Sequence, residues 1–305
     1  MALLGSPMTR NHITALLEVG IRKVYSDEYD LIGSQYEPIY NVKPSKKSTE
    51  TEAVMGGLGL FQPKAEGASP YFDNGQQAWT KVYTAATWAL GIEITKEGIE
   101  DDLYDFYMGL GKDLGKSAIY TQNVEAMDLF NSLSATVYSA GGSNYTLLST
   151  SHFRIDGGTW SNRPSVAADL SLESLELALA SWRTGMVDQR GRKIGIRPKI
   201  LLVGPSDESV AKRIVYSTQR PFGNDNDPNV YIKEHNLQVM VSDYITDDGR
   251  WFLLADKRNT GLCYNMRVNK EMERRDDTRT GNMLMVGRYR ESHGASHVHG
   301  VYGSP

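Results

Sequence analysis

The strongest constraint on the fold is the stretch 96–133, KEGIEDDLYDFYMGLGKDLGKSAIYTQNVEAMDLFNSL. Apolar residues recur at Ile99, Leu103, Phe106, Leu110 and Leu114, then at Ala118, Met127, Phe130 and Leu133, which is helical spacing with one wet face. Glu97, Glu100, Asp101 and Asp102 crowd the first turns, where the helix dipole favours negative charge. An unbroken helix of roughly 38 residues at about 1.5 Å each reaches about 57 Å, so it is a spine along which other elements must lie. Gly109, Gly111 and Gly115 each cost about 1 kcal/mol relative to alanine inside a helix. Two readings account for them: close approach of another backbone, or a bend near residues 109–111.

A chain of 305 residues holds one large domain or two smaller ones, each with a sizeable core. A formal charge of −4 argues against a dedicated nucleic-acid binder, which needs clustered Lys and Arg to neutralise phosphates, but not against a protein that surrounds nucleic acid. Cys263 is the one cysteine, so no intramolecular disulfide can form; the expected setting is reducing, and the thiol reads as a small buried hydrophobe. The N-terminus lacks a signal-peptide pattern and no apolar run suits a bilayer crossing, so the chain is expected to be cytoplasmic when made.

Before the spine, Ile13, Leu16, Leu17, Ile21 and Val24 predict a short helix from Thr9 or Asn11 to about Val24. The following SDEYDLIGSQYEPIYNVKPSKK, with Pro38 and Pro44, reads as an extended arm. Rich in tyrosine and poor in aliphatics, it cannot make its own core and must lie on something else, such as another subunit. Two extended segments then flank a tip at 62–75 rich in Gly, Pro and Asp, which predicts a long hairpin. Its second limb alternates Trp88, Leu90, Ile92 and Ile94 against Thr87, Ala89, Gly91 and Glu93. Phe61, Tyr71 and Phe72 at the tip are costly to leave in water. Gly56, Gly57 and Gly59 do not complete a dinucleotide fingerprint, since the third glycine is missing and no helix follows.

After the spine, Leu172, Leu175, Leu179, Trp182 and Met186 form one helical stripe that Ser171 can cap. A strand at 199–203, a helix from Ser206 and the strands LQVMVSDYI and RWFLLAD complete an α/β unit, interrupted by the polar loop STQRPFGNDNDPNVY. The C-terminal part returns to strands, NMLMVGRYR and a short HVHGVYG, around the charged run KEMERRDDTR. That run suits a solvated turn first and inter-subunit ion pairing second.

Catalytic candidates are weak. VGPSDES is neither a nucleophile elbow nor a phosphate loop, and Ser206 reads as the cap of the next helix. His293, His297 and His299 form HxxxHxH, with His297 and His299 on one face of a strand, but no carboxylate or cysteine completes a metal motif. Adjacent pairs Asp247–Asp248 and Asp276–Asp277 point apart and suit solvent better than acid–base work.

The order of arm, hairpin, spine, α/β unit and returning strands resembles the major capsid proteins of tailed double-stranded DNA phages, the Hong Kong 97-type fold. The phrases that carry the resemblance are TWALGIEITKEGIEDDLY, LLSTSHFRIDGGTW, SLESLELALASWRTGMVDQRGRKIGIRPKILLVGP and DDTRTGNMLMVGRYRES with HGVYGSP. It implies an α+β chain with an N-terminal arm (1–44), an extended loop (45–92), a peripheral domain with the spine helix (93–163), an axial domain (164–255) and peripheral C-terminal strands (256–305). It further implies a structural protein with no enzymatic activity and no cofactor. Its subunits would form pentamers and hexamers that close into an icosahedral head around packaged double-stranded DNA, assembled in the host cytoplasm and retained in the virion.

Partners implied are a separate scaffolding protein, since residues 1–44 are too few to serve as one, together with a portal and a decoration protein; no membrane is involved. Some family members cross-link a loop lysine to a neighbour's asparagine. Lys64 lies near the tip, but the final strand offers no such asparagine, so cross-linking is not expected. The expected inter-subunit contacts are Phe61, Lys64, Tyr71, Phe72 and Trp79 on the hairpin, Arg220, Phe222 and Asn224 in the polar loop, and Arg274, Arg275, Asp276 and Asp277 in the charged run. Two other functions compete: an encapsulin-like shell around a cargo protein, and a hydrolase using Ser206 or the C-terminal histidines.

Overall fold

The computed structural model describes residues 10–101, 104–220 and 228–305. Helix α1 (Arg10–Ile32) is longer than the periodicity to Val24 predicts. The residues after Val24 contain no breaker until Gly33, whose φ of +71° ends the helix. The arm that follows lies on its own subunit, which corrects the expectation of a neighbour. Tyr36, Ile39 and Tyr40 are buried; Tyr36 stacks on Tyr264 at 4.3 Å, and the Tyr40 hydroxyl donates to the Ala126 carbonyl at 2.6 Å. The arm ends in β1 (Asn41–Pro44).

Strands β2 (Thr49–Met55) and β3 (Gln77–Thr84) form the hairpin, antiparallel from Thr49↔Thr84 to Met55↔Gln77. The second limb is shorter than expected. Residues after Thr84 form a separate strand, β4 (Ala86–Ile94), which leaves the hairpin to pair with a C-terminal strand.

The predicted continuous spine is two helices, α2 (Lys96–Glu100), capped by the Thr95 hydroxyl on the Gly98 N–H at 3.1 Å, and α3 (Tyr104–Asn131). No break occurs at 109–111, and close approach explains two of the three glycines. A β-carbon on Gly115 would stand 2.7 Å from the Tyr25 carbonyl oxygen, and one on Gly111 3.0 Å from Ile21 Cγ2, so α1 lies directly on α3.

Two small hairpins follow, β5 (Tyr138–Ala140) with β6 (Ser143–Tyr145) and β7 (His152–Phe153) with β8 (Thr159–Trp160). Helix α4 (Leu172–Gly185) starts at the predicted Ser171 cap, in a reciprocal box with Ser174. The α/β unit continues through β9 (Pro198–Val203), a 3-10 turn (Pro205–Asp207), α5 (Glu208–Tyr216), α6 (Val230–His235), β10 (Gln238–Val241) and β11 (Trp251–Ala255). The chain ends with β12 (Leu262–Asp276), β13 (Met283–Ala295) and β14 (Val301–Ser304).

One sheet has the order β1-β12-β13-β4 and the other β10-β9-β11-β14. The final strand therefore belongs to the α/β unit, antiparallel to β11, and not with the preceding C-terminal strands. A small core of Leu17, Ile21, Tyr25, Leu114 and Met285 sits between the helix pair and the first sheet. A larger one runs from the arm through α3 into the α/β unit. Among the described residues no helix is long and apolar enough to cross a membrane.

Candidate assembly surfaces

The hairpin ladder stops at Met55 and Gln77, and the loop 56–76 between them has no strand pairing. It nonetheless carries large apolar side chains with nothing over them: Leu60 is 69% exposed, Phe61 107%, Tyr71 68% and Phe72 81%. These three rings are the ones that sequence composition singles out, and Lys64 is exposed beside them. Apolar side chains this exposed on one short loop are costly to leave in water.

The neck of this loop is built from residues that sequence reading does not pick out. Asp73 Oδ2 accepts the Gly59 N–H at 2.6 Å and Arg190 Nη1 at 2.7 Å, while Arg190 Nη2 donates to the Asn74 carbonyl at 3.1 Å. The Gly59 N–H first, and Arg190 after it, hold the Asp73 carboxyl below the usual carboxylate range. Arg190 sits on a tight turn whose Asp188 carboxylate accepts the backbone N–H groups of Arg190 and Arg192, both at 2.9 Å. Gly191, at φ +75°, lets the backbone close that turn.

Trp79 is a correction. It is 6% exposed, stacks on Tyr138 at 4.4 Å and donates its indole N–H to the Ser296 carbonyl at 2.9 Å, so the subunit's own core consumes it. Arg220 pairs at 3.2 Å with Glu176 on α4; Phe222 and Asn224 lie outside the described residues. In the charged run, Arg274 reaches Asp276 at 2.9 Å and Glu18 at 3.4 Å, and Arg275 reaches Glu273 at 2.9 Å. Asp277 accepts the Arg279 N–H and the Thr280 hydroxyl, both at 2.9 Å. These charges are matched inside the subunit, but the expected turn is mostly strand: the run up to Asp276 is the end of β12, paired with β13, and only the residues after it turn.

The catalytic candidates are not arranged for chemistry. The Ser206 hydroxyl donates to Asp248 at 2.7 Å and caps no helix, contrary to expectation. His297 and His299 lie in the bend before β14, not on a strand. His299 stacks on Trp160 at 4.8 Å and holds the Val187 carbonyl through Nε2 at 3.0 Å; burial drives its pKa to about 3. His152, driven by burial to about 4, bridges Tyr138 and Asn162. Such imidazoles are neutral packing groups. Among the described residues no three His, Cys, Asp or Glu side chains converge as a metal site. Cys263 is buried, and burial pushes its thiol up to about 11.

With a long helix, a four-stranded sheet, a hairpin and an α/β unit, the chain has an α+β fold that resembles the Hong Kong 97 capsid type. The family model described as phage capsid protein matches residues 77–292, and the chain belongs to that family. Among solved structures, the virus-like particle from Pyrococcus furiosus is 9% identical with a TM-score of 0.56, covering 93% of this chain and 97% of that one. The capsid of cyanophage P-SCSP1u is 12% identical with a TM-score of 0.57, over 89% and 87%. The procapsid subunit of bacteriophage JBD30 is 15% identical with a TM-score of 0.52, over 97% and 76%. At these identities the likeness is one of fold. None of the curated proteins matches the sequence. Family membership makes the chain a structural protein, not an enzyme.

Proposed function

We propose that this chain is the major capsid protein of a tailed-phage head, closing through pentamers and hexamers into an icosahedral shell around double-stranded DNA. The observation that carries the reading is the apolar loop tip, which its own subunit leaves uncovered. A surface that recurs on every copy and is buried only by another copy is what a heterologous, closing assembly requires. In this reading 45–84 is the extended loop, α3 with the β1-β12-β13-β4 sheet is the peripheral domain, and the α/β unit is the axial domain. A near-balanced net charge of −4 suits a wall against which packed DNA moves without sticking. Scaffolding, portal and decoration proteins are the partners such a head would use.

A shell around a protein cargo is the second reading; the likeness in fold to a virus-like particle from Pyrococcus furiosus, across 97% of that chain, supports a shell that need not be a phage head. Electron microscopy of the purified protein tests shell formation, and closed particles of uniform diameter are expected. Nuclease-resistant double-stranded DNA inside native particles supports the head; a stoichiometric enclosed protein in its place supports the cargo shell.

A further inference from the structure

We infer that Asp73 and Arg190 form a clamp that aims the loop 56–76, and so act as positioning residues for assembly. The inference rests on the shell-forming reading. Beyond Met55 and Gln77 no ladder hydrogen bond connects the two limbs of the loop except Gly56 N–H to the Gln76 carbonyl at 2.7 Å. Past that point the loop would swing as a flexible segment. Asp73 and Arg190 stop it. One carboxylate oxygen gathers the ascending limb, through the Gly59 N–H, and the guanidinium. The guanidinium also grips the descending limb at the Asn74 carbonyl, so both limbs are tied to one point on the α/β unit.

That point is itself rigid. The turn carrying Arg190 is closed by the Val187↔Lys193 bridge, by Asp188 and by the Arg192–Asp188 ion pair at 2.6 Å. Close packing adds to it: a β-carbon on Gly59 would stand 3.0 Å from Asp73 Oδ2, and one on Gly57, at φ +71°, 3.3 Å from Arg192 Nη2. Planar guanidinium geometry suits this double grip, which lysine cannot reproduce. An aimed loop presents Phe61, Tyr71 and Phe72 in one direction, which lowers the ordering cost of covering them.

The test compares the full chain with Arg190→Gln, Arg190→Lys and Asp73→Asn. Hydrogen exchange on the unassembled subunit reads the Gly59 amide, thermal unfolding reads the fold, and electron microscopy reads yield and diameter of shells. Expected for Arg190→Gln and Asp73→Asn are faster exchange at Gly59, an unchanged melting temperature, and fewer, more heterogeneous shells, with Arg190→Lys intermediate. Wild-type protein that makes no shells refutes the shell-forming reading itself. Wild-type shells matched in yield and diameter by both Arg190→Gln and Asp73→Asn overturn the clamp alone. Unfolding of both variants also overturns it, by making the pair part of the subunit core.

Discussion

Glu291 is 1% exposed on β13, and neither of its carboxylate oxygens has a hydrogen-bond partner among the described residues. The groups electrostatically coupled to it are Tyr29 from α1, Tyr36 and Tyr40 from the arm, and Glu125 from α3. Its own strand adds His293, whose Nδ1 is 3.9 Å away, beyond hydrogen-bond range. Burial first, and Glu125 second, push the Glu291 carboxyl up to about 8. The folded chain therefore keeps a proton that the unfolded chain sheds near the ordinary carboxylate pKa. Stability is unaffected below that value, falls as pH rises toward about 8, and is flat beyond it. The buried histidines act with the opposite sign: His293, His297 and His299, all lowered by burial, cost stability when pH falls below the ordinary histidine range. Replacing Glu291 with Gln leaves those histidines in place. The expected outcome, read by denaturant unfolding across pH, is a variant that gains on wild type by about 5 kcal/mol between acid pH and pH 9. A difference that does not change with pH would show that Glu291 ionises freely in the fold.

Between elements, the decisive contact is α1 on α3. Alanine at Gly115 gains helix propensity of about 1 kcal/mol but drives a methyl group into the Tyr25 carbonyl, and overpacking of this kind costs about 1–3 kcal/mol. Gly109 faces open space, with nothing within 4 Å of a β-carbon. Thermal unfolding should therefore rank Gly109→Ala above wild type and Gly115→Ala below it; the reverse order would separate α1 from α3. The helical periodicity made α3 legible in the sequence, and the glycines announced a close neighbour without saying which. What sequence reading missed at this scale was non-local. The arm tyrosines looked orphaned because their partners, Gln122 and Ala126, lie 86 and more residues away. Strand β4 alternates like a hairpin limb, and only its pairing with β13 places it elsewhere. Strand β14 is four residues long, too short for its pattern to tell which sheet takes it. In the site, exposed aromatics among Gly and Pro were readable, whereas Trp79 was hidden by Tyr138 and Arg190 by a partner 117 residues away.

For the whole molecule, the loop tip gathers three of the most exposed rings among the described residues on one segment that Arg190 holds at its neck. Each of Phe61, Tyr71 and Phe72 buries on the order of 150 Å² or more when covered, worth about 2 kcal/mol. The subunit cores do not touch these rings, so removing them should leave the fold intact. A shell multiplies the loss, because each subunit both offers a tip and covers another. Replacing all three with serine is thus expected to give a chain with wild-type circular dichroism and melting temperature that sediments as free subunits or small capsomers. Shells of normal yield from that variant would mean that the tip faces solvent in the assembly, and closure would then have to come from the sheet and helix faces of the subunit body.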